Sequence, residues 1–295
     1  MAGVDYQYEY RGLTFGMGTD YPIISVEGLE DDAVRMGDAV IPRRGGDIQG
    51  LHVAASRSIV MEIGVRGTPG STTMRAKIQA LIDAFQHSDD AHALKFQEPG
   101  MDQRYVSARP VGRVAKRNGR YKFTAVHKVR LKLADPRTYA VVGDSEILPH
   151  YSATGGGLDY AITDYGKDYT VDASSEVVVT NDGNADAYPV LQFFGPTVGT
   201  VTQVTLTNTT TDESVVFDTT ILTGQILTAD MHSIVTVAPS DQHVVRLGST
   251  NKYSEWAQPR TPFKLVAGDN VLRFEITGGT STDATCAVNF KDTWL

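Results

Sequence analysis

Four side chains of metal-binding type, His87, Asp89, Asp90 and His92, lie within one short stretch. Their spacing fits neither a zinc pattern nor an EF-hand loop, and a solvated turn between a helix and a strand is the competing reading. The 295-residue chain holds 35 Asp and Glu and 7 His, yet it has no phosphate-cradling Gly-Lys-Thr loop, no GxGxxG opening a helix, no HExxH and no GxSxG. So many carboxylates always leave some pair close enough in space for glycoside hydrolysis, and no pair is marked out. Tyr253, Trp256 and Trp294 form a candidate sugar-stacking platform, set against the commoner burial of Trp in β-sandwich cores. Asn208-Thr209-Thr210 is a formal glycosylation sequon, without meaning where no secretion signal is seen. Cys286, the single cysteine, cannot form an internal disulfide and sits in an apolar alternation, as a small buried hydrophobe would. No catalytic, cofactor-binding or metal-binding residue is assigned.

The chemistry that does repeat is electrostatic. From Tyr121 to Leu133 the odd positions are Tyr121, Phe123, Ala125, His127, Val129, Leu131 and Leu133, and the even ones include Lys122, Lys128, Arg130 and Lys132. This is period two, with one apolar and one basic face. At about 3.3 Å per residue such a strand spans roughly 43 Å, beyond the usual length. Asp135-Pro136 ends it, because Pro136 has no amide hydrogen and its ring restricts the residue before it. The basic face is either a solvated surface that discourages edge-to-edge aggregation or a docking surface for acidic groups on a neighbouring copy, another protein or nucleic acid.

Charge also divides the chain. Residues 1–140 carry 20 Lys+Arg against 16 Asp+Glu, which leaves 27−20 = 7 against 35−16 = 19 for residues 141–295. The front is thus +4 and the rear −12, which supports a boundary near residue 140. A pI near 5.3 argues against bulk binding to nucleic acid or anionic membrane. No stretch approaches 18 apolar residues and no basic start precedes an apolar run, so the expectation is a protein made in a cytoplasm, without a membrane span.

Three segments follow: a β-rich domain over 1–140, a connector with weak strands over 141–175, and an antiparallel β-sandwich over 176–295. In the first, Tyr6 to Gly16 reads as a hairpin and Tyr21 to Leu29 as an extended piece. Val34 to Ile41 reads as a strand, and Arg43-Arg44-Gly45-Gly46-Asp47 as a basic polar loop. Arg57 to Arg66 alternates Ile59, Met61, Ile63 and Val65 inward. After Pro69-Gly70, Ser71 is a plausible N-cap for one helix with Met74, Ile78, Leu81, Ile82 and Phe85 on a single stripe. Leu94 to Phe96, Tyr105 to Arg109 and the long strand complete it, with Asn118-Gly119 as a hairpin turn. Pro149 and Gly155-Gly156-Gly157 mark the connector. The sandwich shows short strands at Val177–Thr180, Tyr188–Phe194, Thr202–Thr207, Ser214–Phe217, Gln225–Thr228, Ser233–Val237, Phe263–Val266, Asn270–Thr277 and Thr285–Phe290, with turns near every tenth residue.

In this order, the parts resemble the distal tail (Dit) proteins of long-tailed, non-contractile bacteriophages. The resemblance rests on Tyr10-Arg11-Gly12-Leu13-Thr14-Phe15-Gly16, Tyr21-Pro22-Ile23, Glu27-Gly28-Leu29, the Arg43-to-Gly50 loop, the Arg57-to-Gly67 strand, the helix and Ala134-Asp135-Pro136-Arg137-Thr138-Tyr139. In the rear half it rests on Asn181-Asp182-Gly183-Asn184, Tyr188-Pro189-Val190, Gly195-Pro196, Gly224-Gln225-Ile226-Leu227, Trp256, Ala267-Gly268-Asp269-Asn270 and Trp294-Leu295. Arg11 stands where Asn is common, Ala267 where Pro is common, and Ala257 to Lys264 is a longer segment. The resemblance implies a first domain that forms a hexameric ring and a galectin-like sandwich hung outside it. The ring would sit at the distal end of the virion tail, joining the tail tube protein to the tail hub or fibre protein, and DNA would pass its bore without specific binding. Receptor-binding proteins or host glycans are the expected partners of the sandwich, with no cofactor and no enzymatic role. A carbohydrate-binding module for host-surface adhesion is the alternative, and an enzyme acting on surface polysaccharide is the third class.

Overall fold

The computed structural model describes residues 6–29, 34–35, 38–40, 47–48, 50, 53–68, 71–116, 125–150, 176–232, 244–280 and 283–295. The Arg43-Arg44 loop up to Gly46, the Pro69-Gly70 break, the Asn118-Gly119 turn, Tyr121–Thr124, the Gly155–Gly157 stretch and the Ser233–Val237 strand lie outside the described residues. Two compact units are seen, Met1–Val142 and Gly143–Trp294.

The first unit opens on a hairpin of β1 (Gln7–Tyr10) and β2 (Leu13–Gly16). Its two turn residues, Arg11 (φ 47°) and Gly12 (φ 79°), take the left-handed pair that a two-residue type I′ turn needs. Arg11 accepts the strain of that conformation while its guanidinium donates to the carbonyls of Ala84 (3.5 Å) and Gln86 (3.4 Å). Those carbonyls lie at the C-terminal end of the helix, where cations are favoured. Next come β3 (Ile23–Glu27) and four two-residue strands, β4 (Val34–Arg35), β5 (Ala39–Val40), β6 (Asp47–Ile48) and β7 (Val53–Ala54). β4 pairs with β7 and β5 with β6, so Val34 to Ile41 is split between two ladders and is not one strand.

β8 (Arg57–Val65) leads to α1 (Thr72–Ala84), then β9 (His92–Phe96), β10 (Arg104–Lys116), β11 (Ala125–Leu133) and β12 (Thr138–Ala140). The sheet runs β2-β1-β9-β10-β11-β8-β3, with β12 pairing β10. β10 is longer than the sequence suggests because it crosses Pro110. The register shifts between Pro110 and Gly112, and such an irregularity accommodates a residue that cannot donate to the ladder. Residues 104–108 therefore pair with β9 and 109–116 with β11.

The core forms where the odd face of β11 and the inward residues of β8 meet the helix. Ala125, Val129, Leu131, Leu133, Ile59, Met61, Ile63 and Val65 are each 0% exposed. Ser71 caps α1 by accepting from the Met74 amide at 3.1 Å, a contact of about 1 kcal/mol. Met74, Leu81, Ala84 and Phe85 are buried. Tyr10 stacks on Phe85 (5.2 Å between centroids) and donates to the Ala108 carbonyl at 3.0 Å. Burial pushes its pKa up to about 12. After β11, Asp135 organises the turn: one carboxylate oxygen accepts from the Arg137 amide at 3.1 Å and the other from the Tyr139 hydroxyl. Tyr139 also stacks on Tyr105 (5.4 Å).

In the second unit, β13 (Asp144–Pro149), β15 (Val190–Phe194), β19 (Ile226–Asp230), β20 (Val245–Leu247), β21 (Thr250–Asn251) and β23 (Thr285–Phe290) form one sheet in the order β13-β23-β15-β19-β20-β21. β14 (Glu176–Asn181), β16 (Thr200–Asn208), β17 (Glu213–Phe217), β18 (Ile221–Leu222) and β22 (Gly268–Gly279) form the other, β14-β22-β16-β17 with β18 beside β16. β24 (Thr293–Trp294) ends the series. Phe193, Phe217, Trp256, Phe263 and Phe274 lie in the core of this antiparallel sandwich. Asp144–Pro149, within the segment expected as connector with weak strands, forms a strand paired along β23. Only Leu148 on it is buried, so it lacks the alternation by which a strand is recognised. Phe263–Val266 is not a strand. Its Leu265 makes a single bridge to Ala187, and Phe263 and Leu265 fill the core from a loop.

Three asparagines, Asn181, Asn208 and Asn270, are 0% exposed. Asn270 donates to the carbonyls of Val266 (2.8 Å) and Gly268 (2.9 Å) and accepts from the Val266 amide (2.9 Å) and from Asn208 (2.9 Å). Asn181 donates to Ala185 O (2.8 Å) and Leu265 O (3.3 Å), and accepts from the amides of Gly183 (3.1 Å) and Thr293 (3.4 Å). Gly183 has no room for a side chain, since a Cβ there would stand 1.9 Å from Thr293 O. The buried amides thus bind the 264–267 loop, whose ladder contact is the single bridge at Leu265, and a buried polar group left unpaired is costly.

Two outcomes are expected in urea unfolding. Asn270→Ala removes a side chain that holds four hydrogen bonds and should cost about 3 kcal/mol, whereas Asp269→Ala, on an exposed contact to Thr180, should stay within about 1 kcal/mol. The second concerns acid. His127 is 2% exposed, and its Nδ1 accepts from Arg113 at 3.1 Å. Burial and then the Arg113 charge lower its pKa. A base whose folded pKa lies below its unfolded value of about 6.5 contributes stability above that pH and loses it as pH falls further. Stability should therefore drop as pH falls below about 6.5, and the drop should be shallower in His127→Gln, which can still accept from Arg113.

Candidate assembly surface

Strands β3, β8, β11 and β10 form a continuous ladder whose inner face is the core just described. Register places the outer face in rows: Ser25, Glu62, Lys128 and Val114 across one, and Glu27, Val60, Arg130 and Gly112 across the next. Ser58, Lys132 and Arg109 make a third. The even side chains of β11 thus share one surface, as the alternation requires. Arg130 and Lys132 are exposed and Lys128 is half-buried. Among the described residues, none of these three has a carboxylate partner within ion-pair distance. Lys122 lies outside them.

β11 is not an edge strand, because β10 flanks it on one side and β8 on the other. Its lysines therefore do not guard an edge. The open edges lie elsewhere: among the described residues β3 pairs only with β8, and residues 109–116 of β10 pair only with β11. Each carries exposed apolar side chains, Ile24 (57%) on β3 and Val111 (42%) and Val114 (63%) on β10. Both edges are irregular, with register shifts at Ile23/Ser25 and at Pro110/Gly112. At the start of β3 a concavity of about 370 Å³ is lined by Tyr6, Tyr8, Met17, Pro22, Ile23 and Arg66. Sequence alternation revealed the basic face, but not Arg109, Ile24, Val111 or Val114, which carry no periodic signal.

The other candidate residues separate. His92 begins β9 with its ring edge-on to Tyr10 (6.2 Å), and the Asp90 amide is held by Ser88 (3.2 Å). Around them the described residues form a turn and a strand start. Trp256 is 2% exposed, packed on Phe217 (6.0 Å) and Tyr253 (5.9 Å). It cannot offer a face to a sugar, so the stacking platform is not formed. The Tyr253 ring is covered by the Arg260 guanidinium at 5.1 Å. Asn208 of the sequon is wholly enclosed. Burial pushes the Cys286 thiol pKa far above its usual value, which leaves it an inert core residue.

No family model matches the sequence. No curated protein matches it either. Solved structures do. The Dit (gp 19.1) protein of phage SPP1, described as a paradigm of the hub adsorption apparatus in phages that infect Gram-positive bacteria, is 15% identical with a TM-score of 0.66, over 98% of this chain and 99% of that one. A chain of the phage P2 baseplate in its activated conformation is 11% identical with a TM-score of 0.53, over 96% of this chain and 97% of that one. The mainly β architecture is shared along both chains, and this protein has the fold of the SPP1 Dit protein.

Proposed function

We propose that the protein is a structural component of a phage tail tip. Six copies join head to tail in a ring that links the tail tube to the hub or fibre and lets DNA through its bore. The observation that carries this is the ladder β3-β8-β11-β10, in which, among the described residues, β3 and residues 109–116 of β10 are each paired on one side only. Unpaired edges are a liability in a free monomer, and joining the β3 edge of one copy to the β10 edge of the next removes both. Because the two edges are different surfaces, the contact is heterologous, and a heterologous contact closes as a ring when its rotation permits. Exposed Ile24 beside the concavity, and Val111 and Val114 opposite, supply apolar area for that seam. The shared fold with a protein of a phage adsorption apparatus supports the same reading.

In the virion the chain would act by shape and repetition, without catalysis or cofactor, after synthesis in the host cytoplasm. The sandwich would hold other tail proteins or host-binding parts.

Averaged electron micrographs of the purified protein, with tail tube or hub protein added, should show six-fold rings. Ile24→Asp and Val114→Asp should each abolish them while shifting the unfolding free energy by no more than about 1 kcal/mol, as expected for exposed positions. Rings that persist in both variants would sink the edge-joining scheme.

A further inference from the structure

One stretch of this acidic protein is wholly basic. Residues 103–134 contain ten Lys and Arg and no Asp or Glu, and most of that stretch is β10 and β11. On the outer face Arg109 stands directly opposite Lys132, and Arg130 lies two residues along β11. Like charges facing each other across a ladder are destabilising. Lys128 has Glu62 across from it on β8, but the residues across from Arg130 and Lys132 are Val60 and Ser58. One copy therefore carries a repulsion that its own described residues do not offset.

We infer that this face is a contact for the phosphate backbone of duplex DNA, independent of sequence. The inference rests on the ring reading only for where the DNA would arrive. Two features favour DNA over an acidic protein, and a third favours duplex over single strands. The cations of β11 repeat every second residue, about 6.6 Å apart, a flat row suited to a backbone of repeated charges. In the two rows that hold Arg130, Lys132 and Arg109, Val60 is the one apolar side chain that the register places there, whereas protein interfaces centre on apolar and aromatic residues. A polyphosphate needs no such anchor, since counterion release supplies the affinity. No aromatic residue occupies the described rows of this face, so there is no platform for unpaired bases, which points to duplex and not to single strands. Glu27 and Glu62 on the β3–β8 side limit the basic surface to a strip. Contact is then weak and reversible, as a moving polymer requires.

The test uses the full-length protein and a fluorescent, mixed-sequence duplex of about 30 base pairs, titrated by anisotropy at several salt concentrations; log K should fall linearly with log salt, by about 0.9 per phosphate contact. The combined variant Arg109→Gln, Arg130→Gln, Lys132→Gln should bind at least tenfold more weakly at the lowest salt and lose about 2 to 3 from that slope. Its unfolding midpoint should equal or exceed that of the parent, because a repulsion is gone. Arg75→Gln, on the exposed side of α1, should change neither quantity. The inference is overturned if the parent shows no salt-dependent binding, if the triple variant binds like the parent, or if polyglutamate of equal charge displaces the duplex more readily than unlabelled duplex does. Micrographs of the same samples separate the two proposals: rings without DNA binding remove the phosphate contact alone, and binding without rings removes the ring alone.

Discussion

Strand β11 is held by an alternation that tolerates no slip. Moving its register by one residue would place Lys128, Arg130 and Lys132 in the core and turn Val129, Leu131 and Leu133 to water. Each of those apolar side chains contributes about 1.5 to 3 kcal/mol by burial, and an unpaired buried charge costs more. The neighbours β8 and β10 are aligned by the same constraint, since both pair with β11 along its length. The two open edges of the ladder, the rows of charge on its outer face and the apolar layer beneath α1 all follow from that one fixed register.

The second unit meets its hardest local problem differently. Its sheets pack through apolar side chains, but the 264–267 loop has a core residue at Leu265 and no continuous strand to satisfy its backbone. Asn181 and Asn270 donate and accept in place of a ladder, and Asn208 joins them through its side-chain amide. The Asn-Asp-Gly and Ala-Gly-Asp-Asn stretches that carried the family resemblance are thus places where backbone groups need side-chain partners and where Gly183 must lack a Cβ.

Much of the fold was legible because it is written in periods. β8, β11 and α1 declare themselves by spacing, and Ser71 by its cap. What escaped lacked a period. β13 buries one side chain of six, β10 runs through a proline, and Phe263 and Leu265 reach the core from a loop. Trp256 was ambiguous by type alone, since only packing against Phe217 decides between core and platform. The candidate surface was half legible: the even residues of β11 gave its charge, but its position inside the sheet, and hence the edges at β3 and β10, depended on pairings between segments distant in sequence.

The central claim is that one edge of the ladder meets the other edge of a second copy. Cysteines introduced at Ile24 and Val114 test it directly, because the native thiol of Cys286 is fully buried. On oxidation of the assembled double variant, non-reducing gels should show a ladder of covalent species that stops at six chains, and neither single variant should cross-link. Dimers from a single-cysteine variant would mean that like surfaces meet, and no ladder from the double variant would mean that these edges do not meet; either result would contradict the account.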